Sequence, residues 1–175
     1  MNFTFVLIPF IFTSLLAVTF PLYTLGKKFN FRRDSYSSLA VGRHRILFKF
    51  IFTLPYIANF AYWFMQYQAG SFAINNFILT LLLVVFISGL LYVWVDVKMN
   101  SVIHNLAAAL YLLLVPAIML VVGVGNEALF GVSVFLGVSL LLLMTLSTRV
   151  SPKHSFTVVL NTLFLIAWES FLILR

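Results

Sequence analysis

The sequence predicts an all-α integral membrane protein, a single bundle of six transmembrane helices over residues 1–175. Three observations carry that reading. The chain is 63% hydrophobic and only 9% charged, with a mean hydropathy of +1.11. Its apolar residues collect into six stretches of about 20, each long enough to cross a hydrocarbon core of roughly 30 Å. Ten of its eleven Lys and Arg fall in or beside the first, third and fifth connections, the bias expected of cytoplasmic loops.

The spans read as 3–24, 46–67, 75–97, 101–124, 127–148 and 154–174. Helix is the state they predict, because backbone groups in lipid must be satisfied within the segment and the runs are too long and evenly apolar for barrel strands. The first stretch, Met1 to Tyr23, lacks a basic segment and is too long for a signal peptide, so it reads as a membrane helix. The connection at 25–45 holds Lys27, Lys28, Arg32, Arg33, Arg43 and Arg45, with Asp34 its only acid and Lys49 just inside the next helix. The second span carries Pro55 and Asn59 within it. The second connection, Gln68 to Asn75, has no charge. Asp96 ends the third span, Lys98 lies in a short turn, and Asn100 or Ser101 is placed to cap the fourth. The fourth connection, Gly123 to Glu127, has one acid and no base. Ser133 and Gly137 make a small-xxx-small pair on the fifth span, a pattern that lets helices approach closely or lets two copies pair. Arg149 and Lys153 lie in the fifth connection, and Arg175 closes the tail. This places both termini outside and the 25–45 loop in the cytoplasm; the membrane is expected to be a bacterial or archaeal plasma membrane.

Composition excludes several chemistries. There are no cysteines, hence no disulfide, thiolate metal site or Cys nucleophile. A net charge of +7 would suggest nucleic acid in a soluble protein. Here the bases flank apolar spans, so the expected partner is anionic membrane lipid and not nucleic acid. His44, His104 and His154 all sit where even-numbered spans begin, but His44 lies between Arg43 and Arg45, and His154 follows Lys153. Such a cationic ring repels a metal ion, so no metal, haem or other cofactor is expected. No span has a central Lys for a retinal Schiff base, and no phosphate loop, HExxH or GxSxG occurs.

An ionisable residue at membrane depth is a functional candidate by default. Asp96 and His104 flank a turn so short that their side chains are expected to meet, as an acid–base or proton-shuttling pair or as a hydrogen bond fixing the hairpin. Glu169, beside Trp168 near the outer interface, reads as reaching outward to water. Asn59 and Asn161 are polar at mid-depth and suit bridges between helices. Arg43, His44, Arg45, Lys49 and Lys153 form a basic group suited to anionic headgroups.

Two stretches, FRRDSYSSLAVG (31–42) and VDVKMNSVIHNLAAALYLLLVPAIML (95–120), resemble a prokaryotic family of uncharacterised six-helix membrane proteins related to the DRAM/Sfk-like superfamily. The resemblance rests on Asp34, Ser37, Leu39 and Ala40 in the first loop and on Asp96 before His104. It implies a six-helix fold and a link to lipid remodelling and membrane trafficking.

The leading expectation is therefore a protein that binds or remodels lipid headgroups at the cytoplasmic face, with Asp96 and His104 lining the pocket. A second is a small proton-coupled transporter using Asp96, His104 and Glu169. A third is a non-catalytic assembly or scaffold subunit. A continuous polar path through the bundle would favour the second.

Overall fold

A computed structural model describes residues 4–25, 45–70, 75–96, 98–150 and 155–173. Within them lie six α-helices and no strand: α1 Thr4–Leu25, α2 Arg45–Ala69, α3 Asn76–Trp94, α4 Ser101–Val124, α5 Glu127–Val150 and α6 Ser155–Ile173. Each occupies one of the six apolar stretches. Arg45–Ala69, Asn76–Trp94, Ser101–Val124 and Glu127–Ser147 are long and apolar enough to cross a membrane. In α1 and α6 the apolar stretches with described side chains are Ile8–Thr19 and Thr157–Leu172.

The helix ends follow from local chemistry. Asn75 caps α3, its side-chain oxygen accepting from Ile78 N at 3.0 Å, and Asn100 caps α4 by accepting from Ile103 N at 3.0 Å. These satisfy amides that the first turn of a helix leaves without partners. The sequence places the end of the third span at 97. Instead α3 stops at Trp94, where Val95 turns extended and leaves Asp96 in the linker.

Each helix packs on the next, and α6 returns to touch α1 and α4, closing the bundle. The outside is apolar: Phe12, Ile46, Phe77, Val102 and Phe135 are each more than half exposed. The inside holds Tyr62, Trp63, Met119, Leu140 and Trp168. It also holds polar groups, among them Ser14, Gln66, Asn161 and Glu169. Apolar side chains outward and polar ones inward is the arrangement a lipid solvent selects.

The small residues of α5 face its neighbours within the chain. A Cβ added at Gly137 would meet the Leu120 side chain at 3.0 Å and the Pro116 carbonyl at 3.2 Å, and one at Gly123 would meet Ser133 Cβ at 2.8 Å. Ser133 is buried and accepts a hydrogen bond from Trp168 Nε1 at 2.7 Å. The close approach that Ser133 and Gly137 permit is thus made to α4 and α6.

Candidate functional site: a buried carboxyl beside an internal cavity

Helix α2 carries polar side chains at Lys49, Thr53, Tyr56, Asn59, Trp63 and Gln66, steps of three or four that place them along one face. Its first turns meet Asp96, and its stretch from Asn59 to Trp63 meets Glu169, the chain's two described buried acids.

At the start of α2, Asp96 is buried. Its Oδ2 lies 2.7 Å from Arg45 Nη2 and its Oδ1 lies 3.3 Å from Lys49 Nζ. Lys49 is itself buried. Its ammonium also donates to the Trp94 carbonyl at 2.9 Å and stands 5.5 Å from the centre of the Trp94 ring. Trp94 Nε1 donates to Thr53 Oγ1 at 2.9 Å, and Thr53 donates to the Lys49 carbonyl at 2.7 Å. His104 is buried too. Its Nδ1 lies 2.7 Å from the Val95 carbonyl. A carbonyl only accepts, so Nδ1 carries the proton of that bond. The His104 ring lies 4.9 Å from that of Tyr92. Asp96 and His104 both face the bundle, but each has its own partners. Because α3 ends early, the Asp96 side chain is set toward α2, and His104 closes the α3–α4 hairpin through the backbone.

Farther along α2, Glu169 of α6 has 0% of its surface exposed. The expectation that it reaches outward is corrected here: Asn59 and Trp63 draw it into the bundle. Asn59 Nδ2 donates to Glu169 Oε1, and Trp63 Nε1 donates to the same oxygen at 2.7 Å. Glu169 Oε2 has no hydrogen-bond partner among the described residues. The Trp63 ring stacks on Trp168 at 5.0 Å. Asn59 therefore bridges helices as its position suggests. Asn161 is fully buried, and neither of its amide atoms is paired among the described residues. The same holds for Ser14 Oγ, Tyr62 Oη and Gln66 Oε1.

A cavity of about 40 Å³ lies among α1, α2, α3, α4 and α6. By the roughly 10–15 Å³ that one water needs, it has room for about three or four. Its wall is largely apolar, with Ser14, Asn59, Thr162 and the two tyrosines Tyr56 and Tyr111 carrying its polar groups. On α6 the lining residues are Val158, Thr162 and Leu165, and Glu169 is the next position along that face. Asn59 thus touches both the cavity and the carboxyl above it. The arrangement sets a carboxyl that can take up a proton one hydrogen bond away from a space that can admit a small solute.

Of the basic group, Arg45 has a half-exposed side chain and, like Lys49, binds Asp96. Arg43, His44 and Lys153 lie outside the described residues, as do His154 and the 31–42 motif. No group of three His, Cys, Asp or Glu that could hold a metal occurs among the described residues. Sequence reasoning passed over Ser14, Tyr62, Trp63, Gln66 and Tyr111. The three-and-four spacing of Asn59, Trp63 and Gln66 on an otherwise apolar helix was the available signal. No family model, curated protein or solved structure matches this chain, so what the site can do is argued from its own residues.

Proposed function

We propose that the protein is an integral membrane bundle of six spans that works as a small proton-coupled carrier, with Glu169 as its intramembrane acid. The observation that carries this reading is Glu169 itself, a carboxyl enclosed by the bundle and joined through Asn59 to an internal cavity. An ionisable group costs several kcal/mol to keep at membrane depth. A purely structural link between α2 and α6 needs only a neutral amide. As a carboxylate, Glu169 accepts from Asn59 and Trp63. Protonated, it gains a donor on Oε2. The change bears directly on Asn59, which lines the cavity, so proton and solute can influence each other through one shared side chain.

The headgroup-binding reading has less support. It leans on Arg43, His44 and Lys153, outside the described residues, and on Arg45 and Lys49, whose cationic groups engage Asp96.

A rapid pH step applied to proteoliposomes on a solid-supported membrane tests the carrier. Proton binding at an enclosed acid displaces charge without any solute. The wild type is expected to give a transient current, and Glu169→Gln one at least five-fold smaller. Equal currents, or none from the wild type, would overturn the reading and favour a scaffold.

The carrier is proposed to sit with both termini outside, on the strength of the ten-to-one basic bias. A periplasm-active reporter fused after Arg175 is expected to be active, and activity of a cytoplasm-only reporter at that position would reverse the orientation.

A further inference from the structure

We propose that the cavity binds a small alkylammonium ion, with Glu169 as its counter-charge reached through Asn59. This rests on the carrier reading and adds the class of substrate. Five aromatic rings from four helices line the space: Phe10, Phe52, Tyr56, Phe86 and Tyr111. Aromatic faces carry negative charge density and attract an organic cation, by about 0.5–2 kcal/mol depending on how far water is excluded.

The polar wall points the same way. The Asn59 amide nitrogen is committed to Glu169, which leaves its oxygen as an acceptor. Thr162 donates its hydroxyl proton to the Val158 carbonyl at 3.0 Å, which leaves its oxygen as an acceptor as well. Ser14 Oγ is fully buried and unpaired among the described residues, and it lines the same space. A cavity lined by acceptors and aromatic side chains suits an occupant that donates N–H bonds and has an apolar end. A hard divalent cation takes six or more oxygen ligands, carboxylates among them, and no carboxylate lines the space. An anion would lie near the Glu169 carboxyl, one hydrogen bond beyond Asn59.

Size narrows the class. An engineered cavity of about 150 Å³ holds benzene, and this one measures about 40 Å³, so methylammonium is the fitting member. A cation in the cavity and a proton on Glu169 each neutralise the same carboxylate. Binding of one therefore weakens the other, and their exchange moves no net charge.

Thermal unfolding of the purified protein in detergent, at constant ionic strength, tests this with methylammonium chloride against sodium chloride. A ligand that binds only the folded state raises the melting temperature by mass action. Methylammonium is expected to raise it and sodium is not. Glu169→Gln should abolish the rise, and Tyr111→Leu should weaken the apparent affinity at least five-fold. The comparison of the two salts uses wild-type protein alone, so it stands even if Tyr111→Leu fails to fold. Equal effects of the two cations, or an undiminished rise in Glu169→Gln, would overturn the proposal. No methylammonium effect alongside an intact pH-step current would overturn this proposal alone. A methylammonium rise without the pH-step current would instead sink the carrier and leave the binding site.

Discussion

Replacing Glu169 with Ala is expected to destabilise the bundle by about 2–6 kcal/mol. Two donors, Asn59 Nδ2 and Trp63 Nε1, share Glu169 Oε1, and a buried donor left without an acceptor costs about 1–3 kcal/mol. Glu169→Gln keeps an amide oxygen where Oε1 stands, so its loss should stay near 1 kcal/mol, one ordinary hydrogen bond. Unfolding midpoints in mixed dodecyl maltoside and dodecyl sulfate micelles would measure both. Ala and Gln variants of equal stability would show that this carboxyl does not hold α2 to α6. With Gln near wild-type stability, a lost pH-step current reports on function and not on folding.

Asp96→Ala should cost about 3 kcal/mol, the lower end for breaking a buried ion pair. The damage falls on Lys49, whose ammonium is buried and keeps only the Trp94 carbonyl and ring. Arg45 is half exposed, so water replaces its lost partner at little cost. The double variant Asp96→Ala with Lys49→Met removes the stranded charge and should recover most of the loss. If the double variant is no more stable than Asp96→Ala in the same micelle titration, Lys49 is not the source of the penalty.

The helices were legible because lipid leaves a long apolar run little choice but to satisfy its own backbone. The cap at Asn100 was legible for a local reason too. The partners of Asp96 were not. A short α3–α4 turn makes those two helices neighbours, but where a side chain points depends on the residue at which α3 stops. Val95 turning extended, one position short of Asp96, hands the carboxylate to a helix nearly fifty residues upstream. Glu169 shows a different limit. Nearness to a helix end suggested water, whereas burial was decided by the Asn59 and Trp63 face of α2, more than a hundred residues away. Asn59 and Asn161 stood out as polar residues in apolar runs. That Asn59, Glu169 and the cavity form one site required the packing of α2 against α6.

Mechanically, α2 is a beam held at two points. Lys49 fixes it to Asp96 and the Trp94 carbonyl, and Asn59 fixes it to Glu169. The ten-residue step from Lys49 to Asn59 spans about 15 Å of helix. A helix fastened at one point can pivot, whereas one fastened at two can neither slide nor rotate without breaking a clamp. Pro55 lies inside that interval and lines the cavity. Proline has no N–H to donate and its ring crowds the carbonyl one turn back, so a bend between the clamps concentrates there. A bend of α2 at Pro55 would therefore change the wall of the cavity.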